Sequence, residues 1–319
     1  MKIVVGLPGT ADARYVRRLC EAGAGGFFLG YSPSDWTREF GQEFSPNRRY
    51  RRSSQVSTGR ILEELCAAAH GCGRPISIAF NEHLVTPRAW EKGRRLIREA
   101  RSAGISGVIV ADPSVIGIVS EEFPDLAIHV SGDAGLYNAA AGDLFFSLGA
   151  SRLIFPREIG WKNLLATMSS LKKARGSREF EVFVMGEPCV YDGARCFTEH
   201  GYSLDRDFCV GHSAKILCRS RGRPQYMTPR EDEFWRQYRN RRPWLFGKCG
   251  LCAIPLLAGA GVTHLKVPGR ASDALASVRL IRRMLDVSGA DRAFARTLMG
   301  MPKLCESRLL CYYPEACGA

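Results

Sequence analysis

No apolar run in this 319-residue chain approaches the ~18 consecutive residues that a membrane-spanning helix needs. The opening stretch MKIVVGLPGTADARYVRR offers only Ile3, Val4, Val5 and Leu7 before Pro8, which is no secretory h-region. A Gly-rich dinucleotide fingerprint is missing too, because the LPGT that follows the first apolar stretch is too short to be one. Neither HExxH nor GxSxG occurs, so no ready-made zinc-peptidase or serine-hydrolase motif is present. Acidic residues are in deficit, 32 Asp and Glu against 45 Lys and Arg, a net charge of +13. A disulfide-stapled secreted scaffold is short and loop-rich, and this chain is neither. The expectation is a cytoplasmic protein whose thiols stay reduced.

What is present is ordinary in bulk, 45% hydrophobic and 24% charged, as in a globular protein. The length is large for one common domain and normal for an α/β barrel, whose core needs no staples. Short apolar runs alternate with stretches of helical period. KIVVGL (2–7), FFL (27–29), PISIAF (75–80), GVIVA (107–111), LAIHV (126–130), RLIF (152–155) and FEVFVM (180–185) read as strands. Helices are expected over 11–24, 56–71, 90–104, 113–121, 138–149 and 163–175. Continuous apolar strands buried on both faces mark a parallel sheet. The fold class is therefore a parallel (β/α) barrel, TIM-like, spanning 1–319 as one domain. Residues 197–247 break the rhythm and read as an Arg-rich, cysteine-bearing insertion over the barrel mouth. The alternation resumes with a helix over 251–260, the strand THLKV (263–267) and a helix over 271–286. Residues 287–319 read as a C-terminal tail packed on the surface.

The twelve cysteines are unevenly placed. Cys189 and Cys196 fall just past a strand, at the end where barrel chemistry sits. Cys209 and Cys218 lie in the insertion, and Cys249 and Cys252 form a C-x2-C pair after it. Thiolates are soft ligands, and the composition admits an iron–sulfur cluster, zinc or unligated thiols. One C-x2-C pair with a wide C-x6-C suits a cluster with ligands from several loops better than a zinc finger.

The stretch EVFVMGEPCVYDGARC (181–196) resembles the signature of the collagenase-like peptidases, the U-thirty-two family. EAGAGGFFLGY (21–31), IHVSGDAGLYNAAAGDLFFSLGASRLIFPREI (128–159), LCAI (251–254) and AGVTHLKVPGR (260–270) resemble further family segments in the same order. The resemblance covers roughly residues 1–285. It implies either a peptidase or one of the family's oxygen-independent hydroxylases. Those carry a four-cysteine 4Fe–4S cluster and act on ubiquinone precursors or on RNA bases, some with prephenate as oxygen donor. One quinone-pathway pair works as a heterodimer, so a related partner chain is implied as well. The implied metal ligands are Cys189, Cys196, Cys209 and Cys252, with Cys218 the rival for the third and Cys249 for the fourth. The matching segments contain Asn138, a substrate-binding candidate, and four residues at strand ends: Arg157 and Glu158, which read as substrate contacts or as an ion pair with a helix, and Lys266 and Arg270, which suit an anion. One departure stands out: the family's Lys-Ile-Glu-Gly-Arg is here Lys266-Val267-Pro268-Gly269-Arg270, so a carboxylate is lost at a strand end.

Other candidates come from the residues alone. Asn81 and His83 end the PISIAF strand and are substrate-binding candidates. His129 alternates within a strand and reads as structural; His200 and His212 sit in the insertion. Cys20, Cys66 and Cys72 read as core thiols, while Cys305, Cys311 and Cys317 could hold a second metal. Arg48–Arg52, and the nine Lys and Arg between Lys215 and Arg242 with interleaved Tyr226, Phe234, Trp235 and Tyr238, suit RNA, a phosphate backbone with stackable bases. A solvated basic face, or arginines serving an acidic small substrate, would look the same. No catalytic residue is assigned.

Overall fold

A computed structural model describes residues 1–40, 45–49, 52–83, 85–172, 178–186, 193–195, 219–220, 223–224, 248–269, 273–300 and 311–316. Eight strands form a closed, all-parallel barrel: β1 (Lys2–Gly6), β2 (Gly26–Gly30), β3 (Ile76–Phe80), β4 (Gly107–Val110), β5 (Ala127–Val130), β6 (Arg152–Ile154), β7 (Glu179–Phe183) and β8 (His264–Val267). Each strand pairs with its sequence neighbour, and β8 closes on β1 through Lys2↔His264 to Val5↔Val267. The helices are α1 (Ala13–Glu21), α2 (Ser34–Phe40), α3 (Gly59–Gly71), α4 (Pro87–Ser102), α5 (Pro113–Glu122), α6 (Ala139–Ser147), α7 (Trp161–Leu171), α8 (Ile254–Ala260), α9 (Leu275–Asp286) and α10 (Arg292–Met299). This is the TIM-like barrel expected from the alternation.

Local chemistry punctuates each unit. After a strand, a short loop delivers a capping side chain: Asp12 to the Tyr15 amide of α1, Thr86 to Ala89 of α4, Asp112 to Ser114 of α5, Asn138 to Ala141 of α6. Such caps satisfy amides that have no partner inside the helix. Pro87 and Pro113 then sit in the first helical turn, where a missing N–H costs nothing. After a helix, a glycine in the left-handed region, such as Gly104 (φ 102°) or Gly149 (φ 100°), turns the chain into the next strand.

Between the sheet and the helices the core is aliphatic and aromatic, with Leu19, Leu62, Ile97, Val119 and Leu164 all fully buried. The barrel interior is different. Arg152, Glu181, His129, His264 and Lys266 are all buried, on β5 to β8. Interiors of this fold are ordinarily filled by branched apolar side chains.

Two elements lie outside the expected set. Helix α2 buries only Trp36, too little to give a period. Helix α10 falls within 287–319, and beyond it Tyr312 and Tyr313 are each 4% exposed. Those two side chains are buried. Of the proposed insertion, only 219–220 and 223–224 are described, as a two-stranded antiparallel ladder.

Candidate site at the carboxyl end of the barrel

Four strand ends converge. Asn81 and His83 follow β3, Ser131 and Asp133 follow β5, Arg157 and Glu158 follow β6, and Met185–Gly186 extends β7. In a (β/α) barrel this face carries the chemistry, because its loops vary without disturbing the core. Asn81 Nδ2 donates to Ser131 Oγ and to Asp133 Oδ2, each at 3.2 Å. Asp133 Oδ2 also faces Arg48 Nη1 at 3.4 Å. Arg48 Nη1 lies 3.2 Å from His83 Nε2 and 3.2 Å from the Gly193 carbonyl oxygen. A guanidinium has no acceptor, so Nε2 of His83 accepts and the ring proton sits on Nδ1. Glu158 Oε1 accepts from the Gly193 amide at 2.8 Å and from the Tyr137 hydroxyl at 3.1 Å.

Two polar atoms here are buried and lack a hydrogen-bond partner: Asn81 Oδ1 and Arg157 Nε. The Arg157 guanidinium lies over the Phe183 ring, 4.1 Å from its centroid. Tyr312 stacks against Phe183 with centroids 6.4 Å apart, and its hydroxyl donates to the Gly186 carbonyl at 3.3 Å. Tyr313 donates to the Phe183 carbonyl at 2.8 Å. The C-terminal segment therefore builds one wall of the mouth.

Below lies the charged interior. Glu181 Oε1 accepts from Lys266 Nζ at 2.6 Å, and Oε2 accepts from Arg152 Nη1 at 3.0 Å. Lys266 Nζ also lies 3.8 Å from the Phe28 ring centroid on β2, beyond β1. Burial alone would raise the Glu181 pKa, but Lys266 and Arg152 outweigh it and hold the carboxyl down at about 2. Burial also lowers Lys266, and one carboxylate shared between two cations restores only part of that loss. The His129 imidazole is pushed well below its ordinary value, first by burial and then by Arg152; the same two causes bring His264 to about 4. His129 lies inside the barrel on β5, 8% exposed.

Among the described cysteines, Cys249 and Cys252 reach this face. Cys249 ends a short strand, Lys248–Cys249, that pairs antiparallel with Met185–Gly186. It also bridges Cys311 in parallel, with the Tyr312 amide donating to the Cys249 carbonyl at 3.0 Å. Cys252 lies in the single turn Leu251–Ala253 that leads into α8. Both thiols are free of disulfides. Among the described residues no three His, Cys, Asp or Glu side chains gather in a metal-binding group. Cys189, Cys196, Cys209, Cys218, Cys305, Cys317, His200, His212 and Arg270 lie outside the described residues.

The structure brings Asn81, His83, Arg157 and Glu158 to one face. It does not bring Asn138 there as a free group: Asn138 is exposed and its side-chain oxygen caps α6. Lys266 lies under the mouth, engaged with Glu181. Sequence reasoning missed Arg48, Asp133, Tyr137 and Tyr312. Asp133 had a signal, since it follows β5 in the same SGD turn as Ser131. Arg48 had only a misleading one, the basic run 48–52. Its side chain is 6% exposed and turned into the mouth.

A family model described as Peptidase family U32 matches residues 14–310. The chain is 29% identical over 142 residues to "tRNA hydroxylation protein P" of Escherichia coli, covering 44% of this chain and 29% of that protein. It is 26% identical over 127 residues to "tRNA hydroxylation protein P2" of Bacillus subtilis, covering 40% and 39%. An "uncharacterized protease" of Methanocaldococcus jannaschii is 29% identical over 147 residues, covering 46% and 35%. The chain thus spans about a third of the length of these curated relatives. Among solved structures, a U32 peptidase superposes with a TM-score of 0.44 at 16% identity, covering 59% of this chain and 70% of that one.

Proposed function

The chain belongs to peptidase family U32, and from that premise we propose that it is an iron–sulfur hydroxylase, or one subunit of a heterodimeric one, that modifies an RNA base without molecular oxygen. The observation that carries this reading is the pairing of Lys248–Cys249 with Met185–Gly186. It ties the C-x2-C end of the cysteine set to the strand that runs, three residues later in sequence, into Cys189. Two thiols at the mouth, neither of them in a disulfide, are suitable soft donors for iron. Cys189, Cys196, Cys209 and Cys252 would hold a 4Fe–4S cluster, which supplies one-electron chemistry when bound. Relatives whose names carry tRNA hydroxylation favour RNA over the quinone-precursor alternative.

The chain's own residues do the rest. Arg157, stacked on Phe183 with an unpaired Nε, offers donors to a carbonyl or an anion. Asn81 Oδ1 offers a buried acceptor to an N–H or O–H, and leaving it unpaired costs about 1–3 kcal/mol. A planar base presents both kinds of edge. A peptidase remains the second reading, favoured by the relative named a protease.

Two measurements test the proposal. Protein prepared without oxygen is expected to contain about four iron and four sulfide per chain; stoichiometric zinc without sulfide would sink the cluster. Binding to bulk transfer RNA is expected to weaken roughly 10³-fold or more between 50 and 200 mM salt, if six or more phosphates are neutralised. Binding that ignores salt would point instead to a small-molecule substrate.

A further inference from the structure

We infer that Arg48, Asp133 and Glu158 are positioning residues that fix the turn Gly193–Arg195, which precedes Cys196 in sequence, against the barrel mouth. The inference rests on the cluster reading for its purpose but not for its geometry. Both backbone polar groups of Gly193 are taken by side chains from distant loops: its carbonyl by Arg48 Nη1 at 3.2 Å, its amide by Glu158 Oε1 at 2.8 Å. Its Cα packs on a third loop, because a Cβ there would stand 2.4 Å from Asp133 Oδ1. Only glycine fits that close approach. Three loops that share no local sequence therefore grip one residue, three positions before an implied ligand.

Arg48 adds the strongest mark. It is the one non-glycine residue with positive φ (58°) among the described residues. A non-glycine residue in the left-handed region is strained, and such strain persists only where the surroundings over-determine it. Here they do, since the buried guanidinium meets Asp133, His83 and Gly193 at once. An arginine serving only as surface charge would need neither the burial nor the backbone. A thiolate ligand tolerates errors of only a few tenths of an ångström in its metal distance, so a turn this close in sequence needs such a grip.

The test uses the full chain in two states. In metal-stripped protein, deuterium exchange of the Gly193 amide is expected to be about tenfold faster in Glu158→Ala and in Arg48→Met, the loss of one hydrogen bond to a charged group, with β3 and β5 unchanged. In protein prepared without oxygen, Arg48→Met and Asp133→Asn are expected to shorten the lifetime of the visible absorbance in air, and Arg48→Lys to restore part of it. Should Arg48→Met fail to fold, Glu158→Ala decides, because Glu158 is exposed and supports nothing in the core. Unchanged exchange in Glu158→Ala overturns the positioning. A wild-type chain without iron or sulfide overturns the cluster reading but leaves the exchange result standing.

Discussion

Glu181→Ala is expected to destabilise the fold by about 3–5 kcal/mol at neutral pH, because it leaves Lys266 buried without its counter-charge and Arg152 with Glu179 as its remaining carboxylate. Urea unfolding measures it directly. The same loss should not follow when all three charges go together: a Glu181→Leu, Lys266→Met, Arg152→Met triple variant is expected to recover most of the stability, since well-packed apolar groups often replace a buried ionic network at little cost. If the single and triple variants lose equally, the network is not what the site depends on. The pH dependence carries a second check. Glu181 holds a carboxyl pKa of about 2, below its ordinary value of 4.5, so its contribution is present above about 4.5 and is lost as pH falls toward 2. His264, lowered to about 4 from 6.5, contributes in the same direction, fully above 6.5 and lost as pH falls through 4. Wild-type stability should therefore decline steadily below about 6.5, and Glu181→Gln should remove the most acidic part of that decline. A stability that stays flat from pH 7 to 3 contradicts both assignments.

The barrel was legible because its strands are buried on both faces, so GVIV and ISIAF read as unbroken apolar runs between helical periods. The charged interior was not, because Arg152, Glu181 and Lys266 stand on three different strands, RLI, EFEVF and HLKV. Nothing in sequence shows that they meet. Arg48 illustrates the same limit at the site. A run of arginines looks like a solvated basic face, and neither a positive φ nor a partner 85 positions away at Asp133 is visible locally. Asn138 shows the reverse case: a residue singled out by resemblance is used by the fold as a helix cap, a role its position before AAAG would by itself have suggested. Tyr312 and Tyr313 were hidden because an aromatic pair in a terminal stretch carries no period, yet they line the mouth through the bridge between Cys311 and Cys249.

That bridge sharpens the expected behaviour of the cysteines. Removing one thiolate from a four-thiolate cluster opens an iron site to water and oxygen, whereas Cys→Ala in a helix removes only a small apolar group. Cys189→Ala, Cys196→Ala, Cys209→Ala and Cys252→Ala are each expected to remove most of the iron and the visible absorbance. Cys66, buried on α3, and Cys20 and Cys72, whose thiols contact each other, should be replaceable with iron content intact. Cys249 has a structural task that Cys252 lacks. Its backbone is paired on two sides, to Met185 and to Cys311. Backbone pairing survives replacement of the side chain, so Cys249→Ala should keep the strand and the iron if Cys252 is the ligand. If Cys249→Ala empties the site while Cys252→Ala does not, the fourth ligand is Cys249. Cys218→Ala against Cys209→Ala decides the third ligand in the same way. Cys311→Ala completes the set: retained iron assigns its neighbourhood to packing, while lost iron with an unchanged urea midpoint would bring the C-terminal thiols into the ligand set.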